Sequence, residues 1–347
     1  MTHRLTSRAA RLAVVAAAAA LALSACSSSD AADGTGAGSG KKIPLTIAYQ
    51  AIPNGDLVVK HNHWLEDALP NYDIQWKVFD SGGAVNEAFA AGSVDIGLVG
   101  SSPVARGLSA PIDYQVPWIH DVIGSAEALV AKDGIATVAD LVGKTVAVPF
   151  ASTSHYSLLA ALEDAGVDAS KVNIIDAEPD AIASGWTQGD IDAAYVWNPT
   201  LATLLAGGGT VLVDSAQLAA EGKATYDLAA VSTSFASAHP DALATWAEQQ
   251  DRAVQLYSSD PTAWSTAVGA ELSLDPTEVL EQAKGLIFLT AKEQIGADYL
   301  GGGLGQSLVA AAKFNLAAGS IDAVQPDDAY LKAVLTAPAQ SAADQSK

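Results

Sequence analysis

Short apolar stretches alternate along the chain with segments that have a helical pattern. IPLTIAYQ at 43–50 and DIQWKVFD at 73–80 are rich in β-branched and aromatic residues, which predicts strands. Helical patterns cover 56–69 and VNEAFAAG after the turn at 81–83, and VDIGLVG at 94–100 predicts another strand. Such alternation favours an α/β fold with a mostly parallel sheet and helices on both faces.

A second series of the same kind begins after SAEALVAK. TVADLVGK predicts a helix, TVAVPF a buried strand, VNIID a strand, 176–189 a helix and IDAAYVWNPT a strand. From DLAAVSTSF at 227–235 onward the pattern is mostly helical, and APAQSAADQSK at the C-terminus is expected to be a frayed tail. The chain is long enough for two lobes.

One segment of each series echoes the other. AAGSVDIGLVGSSP at 91–103 resembles TQGDIDAAYVWNPT at 187–200, because each has a helix-ending glycine, Gly92 or Gly189, followed three residues later by Asp95 or Asp192. An apolar strand and a turn then follow in both. Chance similarity in an alanine-rich chain is one explanation, and two similar α/β lobes facing each other are the other.

The N-terminus has the pattern of a targeting segment. Arg4, Arg8 and Arg11 precede an apolar run at 12–23, and Leu-Ser-Ala-Cys resembles a bacterial lipobox that ends at Cys26. We expect Cys26 to be lipidated, with an ordinary signal peptide as the alternative. Residues 27–42 have the Ser/Gly-rich composition of a flexible tether. A single cysteine in the chain excludes an internal disulfide and disfavours a thiol nucleophile.

The charge of the chain narrows the choice of partners. The net charge is −21, and it becomes −24 without the arginines of the targeting segment. Nucleic acid is therefore not expected as a partner, because binding to phosphate backbones needs a basic surface. Only Arg106 and Arg252 remain after the targeting segment, so an anionic ligand would be held by groups other than a guanidinium.

Two turns that are rich in hydroxyl groups offer such a site. Gly100-Ser101-Ser102-Pro103 and Ser152-Thr153-Ser154 both lead from a strand into a helix, whose N-terminus has unpaired N–H groups and a partial positive charge. We expect Ser102 and Ser154 to share one cavity and to hold an anion from two sides. The alternative is that each serine only caps its own helix.

Catalysis and metal binding are the competing interpretations. Ser154 and His155 could suggest a serine hydrolase, but the chain has no G-x-S-x-G elbow, and adjacent residues at a helix start do not face each other. His61 and His63 are two residues apart, which is a poor spacing for metal ligands on a helix. We therefore expect no catalytic residue, no metal and no cofactor.

Several motifs together resemble a known family. VGSSP, SAEALV, VPFASTSHYSLLAALEDAG and GDIDAAYVWNP are similar to the taurine-binding and aliphatic sulfonate-binding periplasmic components of ABC transporters, over about 43–335. The resemblance implies the α/β type II periplasmic-binding-protein fold, in which two lobes joined by two crossings close over a ligand. It also implies that the closed form docks on a membrane permease.

The resemblance and the patterns together define domains and partners. We expect a lipoprotein signal peptide (1–26), a tether (27–42), lobe 1 (43–128 and, mostly helical, 229–335), lobe 2 (129–228) and a tail (336–347). The expected protein is a monomer outside the cytoplasm, attached to the cell membrane through its lipid only. Its expected partners are a small sulfonate and the permease of the same importer.

The family's motif positions can be transferred to this chain. The resemblance implies ligand contacts from Gln50, Ser81, Gly82, Ser101, Ser102, Glu127, Ser152, Thr153, Ser154, His155, Tyr156, Trp197 and Asp227. Glu127 and Asp227 are the candidates for binding the ammonium group of taurine. Ala126 and Ala229 depart from the family, which often has a serine and a large aromatic residue there, so we expect an altered pocket.

Two alternatives to taurine remain open. The protein could bind unsubstituted alkanesulfonates or another small anion such as nitrate, in which case Glu127 and Asp227 would not contact the ligand. A pyrimidine-precursor synthase with the same fold is a more distant alternative. That enzyme family resembles this chain less, because it relies on a cysteine-rich motif and the chain has only Cys26.

Overall fold

The computed structural model describes residues 41–110 and 112–345. Residues from Lys42 onward form one compact unit. The predicted signal peptide, Cys26 and nearly all of the predicted tether lie outside the described residues, so the lipid anchor stays a prediction. In the described ranges, no helix has both the length and the apolar composition that crossing a bilayer requires.

The first sheet contains the N-terminal strands. Its strands are β1 (Ile43–Gln50), β2 (Tyr72–Phe79), β3 (Ile96–Gly100), β4 (Tyr114–Ile123), β10 (Tyr226–Ser232) and β11 (Leu286–Ile287). They lie in the order β11-β4-β10-β3-β1-β2. β1 runs parallel to β2 and β3, whereas β10 is antiparallel to β3 and β4, and β4 is antiparallel to β11.

The strands of the second sheet are β5 (Glu127–Ala131), β6 (Thr145–Val148), β7 (Asn173–Asp176), β8 (Ala193–Trp197) and β9 (Thr210–Asp214). They lie in the order β7-β6-β8-β5-β9. β6 runs parallel to β7 and β8, whereas β5 is antiparallel to β8 and β9. The expectation of a mostly parallel sheet is wrong for both sheets, because the strands next to the two crossings run antiparallel to their neighbours.

Helices surround both sheets. In the first half of the chain they are α1 (Gly55–His61), α2 (Trp64–Ala68), α3 (Gly82–Ala90), α4 (Ser101–Ser109), α5 (Thr153–Asp164), α6 (Pro179–Gln188) and α7 (Thr200–Ala206). In the second half they are α8 (Ser215–Ala220), α9 (Thr233–Ala238), α10 (Pro240–Ser259), α11 (Pro261–Leu272), α12 (Pro276–Ala283), α13 (Ala291–Gln294), α14 (Gly303–Ala317), α15 (Asp327–Ala333) and α16 (Ala337–Gln345). The helix predicted from TVADLVGK is a short 3₁₀ helix, Val138–Leu141.

Each sheet is buried by its helices, and the second sheet is buried on both faces. Along β5, Leu129 and Ala131 belong to one apolar cluster, and Ala128 and Val130 belong to another. Side chains of a strand alternate between the two faces, so the two clusters lie on opposite sides of this sheet. A strand that is buried on both faces reads as a continuous apolar run, as EALVA does.

The chain passes between the sheets twice. β4 ends in the first sheet at Ile123 and β5 begins in the second at Glu127, and the chain returns between Asp214 and Tyr226. The sheets thus change slightly before the expected lobe boundaries at 128 and 228. The crossings lie side by side, because the Ile123 N–H donates to the Thr225 carbonyl at 3.0 Å.

The internal echo corresponds to equivalent structure in the two sheets. Gly92 and Gly189 have positive φ angles of 64° and 85°, which glycine adopts without steric cost. The Asp95 carboxylate accepts from the Thr46 N–H, and the Asp192 carboxylate accepts from the Thr145 N–H, each at 2.8 Å. Both aspartates therefore tie the start of their own strand to the neighbouring parallel strand.

The C-terminus is not a frayed tail. Residues 337–345 form α16, which packs against α10 and buries Pro338, Ala339 and Ala342. Alanine has the highest helix propensity, and its small side chain allows two helices to approach closely, so this polar-looking segment folds as a helix. The helix predicted at 56–69 is interrupted, since His63 has a φ of 55° between α1 and α2.

Candidate functional site

A cavity lies between the two sheets, at the ends of strands from both. Its wall on the side of the first sheet contains Gln50, Ile52, Pro53, Gly82, Gly100, Pro103, Ile123, Asp227 and Leu286. Its wall on the side of the second sheet contains Ala126, Glu127, Ser152, Thr153, Trp197 and Asn198. Of the predicted site residues, the cavity therefore brings together Gln50, Gly82, Glu127, Ser152, Thr153, Trp197 and Asp227.

The N-termini of α3, α4 and α5 converge on this cavity. Gly82 is the first residue of α3, Gly100 is the N-cap of α4, and Ser152 is the N-cap of α5. First-turn N–H groups have no partner within their helix, and the helix dipole adds a partial positive charge. The cavity therefore has an electropositive region that consists of backbone rather than of cationic side chains.

The Glu127 carboxylate is held by hydroxyl groups of the second lobe. Thr153 Oγ1 and Ser154 Oγ donate to Oε2 at 2.5 and 2.8 Å, and Ser215 Oγ donates to Oε1 at 2.7 Å, with Ser157 Oγ at 3.4 Å. Burial raises the pKa of Glu127, and these hydrogen bonds oppose that shift. Glu127 thus offsets part of the positive charge at the N-terminus of α5.

Asp227 is the opposite case on the wall of the first sheet. It is the second residue of β10 and is 9% exposed. Burial raises the pKa of Asp227 to about 7, and the nearby charge of Glu127 adds to the shift. Within the described part of the chain, the Asp227 carboxyl has no hydrogen bond that would counter the cost of burial.

The remaining wall residues are apolar or neutral. Gln50 donates from Nε2 to the Leu98 carbonyl at 3.1 Å, which fixes its amide at the end of β1. Trp197 ends β8, directly opposite Glu127 in the register of β5 and β8. Ile52, Ile123 and Leu286 provide a surface that suits a short alkyl chain.

The expectation that Ser102 and Ser154 meet in one cavity is wrong. Ser102 Oγ is 3.3 Å from the side-chain amide of Asn315 on α14, and Ser154 Oγ donates to Glu127. Ser102 lines a different cavity together with Ser101 and Tyr156. Both turns do line the interlobe cavity, but through Gly100, Pro103, Ser152 and Thr153 rather than through Ser102 and Ser154.

Other predicted residues also have partners inside the protein. Ser101 Oγ accepts from the Tyr226 N–H at 3.1 Å, and the Tyr156 ring contacts Phe314 with centroids 4.5 Å apart. The His155 ring stacks on Phe150 at 4.6 Å. Burial lowers the pKa of His155 to about 4, so this histidine is neutral at neutral pH. Ser101, His155 and Tyr156 are therefore outside the wall of the cavity.

Ser81 connects the two lobes instead of lining the cavity. It caps α3 by accepting from the Ala84 N–H, and its hydroxyl donates to Glu178 Oε1 at 3.0 Å. Glu178 precedes α6 in the second lobe. Burial raises the pKa of Glu178, and the hydrogen bond from Ser81 partly opposes this.

The two departures from the family have different consequences. Ala126 lines the cavity, as expected for a change that alters the pocket. Ala229 does not line it, because it is fully buried in β10 with Trp118 as its cross-strand neighbour in β4. The expectation that Ala229 alters the pocket is therefore wrong.

Sequence reasoning missed Asn198 and the apolar wall residues Ile52, Pro53, Ile123 and Leu286. It also missed Asp121, a fully buried carboxyl on β4 beside Asp227. The available signal was YQVPWIHDVI at 114–123, an apolar segment whose polar residues must be buried if it is a central strand. In the described ranges, no cluster of histidine, cysteine, aspartate and glutamate is arranged to hold a metal ion.

Two α/β lobes with helix N-termini and carboxyl groups around an interlobe cavity define a small-molecule-binding protein of the type II periplasmic-binding fold. The chain belongs to the NMT1/THI5-like family, whose model matches residues 73–263. It is 36% identical over 292 residues to the taurine-binding periplasmic protein of Escherichia coli (strain K12), which covers 82% of this chain and 90% of that protein.

Solved structures agree on the fold. The alkanesulfonate-binding protein SsuA from Xanthomonas axonopodis pv. citri, bound to MOPS, superposes with a TM-score of 0.68 at 22% identity, over 87% of this chain and 99% of that one. The desulfurization enzyme DSZB superposes with a TM-score of 0.62 at 17% identity, over 88% and 100%. At these identities the likeness extends to the architecture only, which serves binding proteins and an enzyme alike.

Proposed function

We propose that this protein is the extracytoplasmic substrate-binding component of an ABC importer and that it binds taurine or a related small sulfonate between its lobes. The family and the identity to a taurine-binding protein over most of both chains support this proposal. One observation carries the choice of ligand: a single cavity contains helix N-termini and the buried carboxyl of Asp227.

The helix N-termini suit the sulfonate. A sulfonate is permanently ionised and has three acceptor oxygens and no donor, so it requires several donors in a fixed arrangement. Gly82 and Gly100 place the ends of α3 and α4 at the cavity wall, where first-turn N–H groups can donate. The end of α5 contributes less, because Glu127 already lies against it.

The carboxyl groups suit the ammonium. Among the described residues, Asp227 is buried without a counter-ion, and Glu127 lies close enough to raise the pKa of Asp227 further. An ammonium group placed beside Asp227 would stabilise its ionised form through a charge-assisted hydrogen bond. An unsubstituted alkanesulfonate would leave this carboxyl without a partner. Such a ligand would therefore bind best when Asp227 is protonated.

Unsubstituted alkanesulfonates are the second candidate ligands, and the apolar wall of Ile52, Ile123 and Leu286 favours them. Nitrate or another small anion could use the helix ends alone. We further propose that the protein is not an enzyme. Ser154 donates to Glu127, and His155 Nδ1 accepts from the Ala151 N–H, so these two side chains do not form a nucleophile–base pair.

The proposal includes a setting for the protein. Cys26 would carry a lipid that attaches the chain to the outer face of the cell membrane, and residues 27–42 would act as its tether. The monomeric, closed protein would deliver its ligand to the permease of the importer. Backbone donors suit such a carrier, because they hold an anion without the strength of a guanidinium pair.

Calorimetric titration of the purified protein at pH 8 tests the ligand. We expect taurine to bind at least roughly tenfold more tightly than ethanesulfonate, since only taurine satisfies Asp227. Equal or tighter binding of ethanesulfonate would favour the alkanesulfonate alternative, and tight binding of nitrate or sulfate would favour a small-anion carrier. Absence of binding for all four compounds would contradict the proposed function.

A further inference from the structure

Asp121 is a buried carboxyl beside the ligand cavity that the proposed function does not use. It lies on β4 directly opposite Asp227 on β10, a position that brings the Cβ atoms of cross-strand neighbours to about 5 Å. Ile123, two residues further along β4, lines the cavity. Residues two apart on a strand point to the same face, so Asp121 is directed toward the cavity side of the strand.

In the described part of the chain, Asp121 has no partner that would stabilise a negative charge. It is 0% exposed, and among residues 41–110 and 112–345 neither of its carboxylate oxygens has a hydrogen-bond donor. No lysine or arginine of the described ranges forms an ion pair with Asp121, Asp227 or Glu127. A carboxylate buried in this way is strongly destabilised unless it is protonated or meets a cation.

The titratable groups around Asp121 are acidic or neutral. Burial, followed by the charges of Asp227 and Glu127, raises the pKa of Asp121 well above its usual value. On the neighbouring position of β4, burial lowers the pKa of His120 to about 3, so its ring is neutral. Its Nε2 is 3.7 Å from Asp56 Oδ2 on α1, a carboxyl whose pKa burial raises to about 7.

We propose that Asp121 and Asp227 form a carboxyl pair that shares one proton in the ligand-free protein and releases it when the ammonium group of an aminosulfonate enters. The proton moves from the pair to solvent, and the incoming ammonium supplies the compensating positive charge and the donors. Two close carboxyl groups that cannot both ionise are a known source of such a shared proton. The inference rests on the proposed function and adds to it that ligand binding is coupled to proton release.

The sign of the coupling follows from linkage. The ammonium lowers the pKa of the pair, so the complex holds fewer protons than the free protein, and taurine affinity rises with pH. Below the pKa of the pair the rise approaches roughly tenfold per pH unit for one released proton. Ethanesulfonate, which has no cation, takes up protons or leaves them unchanged, so its affinity does not rise with pH.

Calorimetry in phosphate and in Tris at pH 8 measures the released protons, because the two buffers differ in ionisation enthalpy. For the unaltered protein we expect roughly 0.5–1 proton released per taurine bound, and none per ethanesulfonate. Asp121→Asn leaves Asp227 as the one titratable carboxyl of the pair, and its pKa of about 7 makes it mostly ionised at pH 8 before taurine binds. Taurine should then release less than about 0.2 proton, and its affinity should change less than about twofold between pH 7.5 and pH 8.5.

Asp56→Asn is the matched control, because Asp56 is another buried aspartate with a raised pKa but does not line the cavity. It should release as many protons as the unaltered protein. Asp121→Ser serves as a second variant in case the asparagine variant does not fold. If either Asp121 variant binds taurine with unchanged proton release, the carboxyl pair is refuted while the proposed function stands. If taurine does not bind at any pH, both fail.

Discussion

The carboxyl groups on the two walls of the cavity differ in their hydrogen bonding. On the side of the second sheet, Glu127 accepts hydrogen bonds from Thr153, Ser154, Ser157 and Ser215. On the side of the first sheet, Asp227 and its neighbour Asp121 lack such donors within the part of the chain that the structure describes. Both walls are buried, so burial alone does not explain the difference.

The difference separates a structural carboxyl from one that awaits a ligand. Hydroxyl donors stabilise the ionised form of Glu127 and hold α5 and α8 against β5, so this carboxylate is satisfied before any ligand enters. Asp227 reaches a comparable state only when a cation arrives. Such a cavity selects ligands that carry a cation, because a ligand without a cation leaves the buried carboxyl of Asp227 without a partner and binds more weakly.

Replacement of Asp227 gives the largest expected effect. Asp227→Asn removes the charge that an ammonium would meet, so taurine affinity at pH 8 should fall by roughly 100-fold while ethanesulfonate affinity stays unchanged or rises. Titration calorimetry with both ligands measures the contrast. Asp133→Asn, an exposed aspartate, is the control and should change neither affinity. Equal losses for both ligands would place Asp227 outside the ammonium site.

Replacement of Glu127 tests the other wall through stability. Glu127→Gln puts an amide donor against hydroxyl donors, and we expect the free energy of unfolding to fall by about 2–3 kcal/mol at pH 8 without ligand. Asp227→Asn should not destabilise the protein, because it removes a buried charge that has no partner among the residues that the structure describes. Urea unfolding measures both, with the exposed Glu163→Gln as control. A Glu127→Gln variant as stable as the parent would contradict the structural role.

A methyl group between the walls should weaken binding of every ligand. A Cβ atom at Gly100 would lie 2.5 Å from Thr153 Cγ2, so the two lobes could not approach as closely. We expect Gly100→Ala to lower taurine and ethanesulfonate affinities by about tenfold. Thr153→Ser in the same chain removes the opposing methyl group, keeps the hydroxyl donor to Glu127 and should restore affinity. Failure of this rescue would show that the loss has another cause.

The smallest expected effect concerns Ser102. Its hydroxyl contacts Asn315 and not the cavity, so Ser102→Ala should change sulfonate affinity less than about threefold and cost about 1 kcal/mol of stability. Calorimetry and urea unfolding measure the two quantities. A tenfold loss of affinity without any loss of stability would instead mean that this hydroxyl reaches the ligand.

The sequence predicted the scaffold better than the direction of its side chains. The similarity of the segments around Asp95 and Asp192 could be predicted from the sequence. In both sheets a glycine ends a helix, and the aspartate three residues later binds the backbone of the neighbouring strand. The helix starts at Gly100 and Ser152 could also be predicted, because they too depend on residues that are close in the sequence. These predictions depend on interactions between residues that are close in the sequence or in repeated positions.

The roles of the hydroxyls could not be read in this way. A serine in the first turn of a helix can donate to a ligand or to a buried carboxylate elsewhere in the chain, and nothing near Ser154 indicates that Glu127 will lie beside it. The segment at 114–123 gave no clear strand pattern because Pro117, His120 and Asp121 interrupt its apolar run. Their burial is decided by the neighbouring strands β10 and β11, which are far away in sequence.

The link between the lobes has a third participant besides the two crossings. The N–H groups of Gly124 and Ala126, on the first crossing, both donate to the carbonyl of Gly285, at 3.0 and 3.2 Å. Any swing of the lobes that re-orients this short segment must stretch or exchange these bonds. We therefore expect the segment between α12 and β11 to restrain the first crossing, and slow deuterium uptake at the Gly124 and Ala126 amides would show that these bonds rarely open.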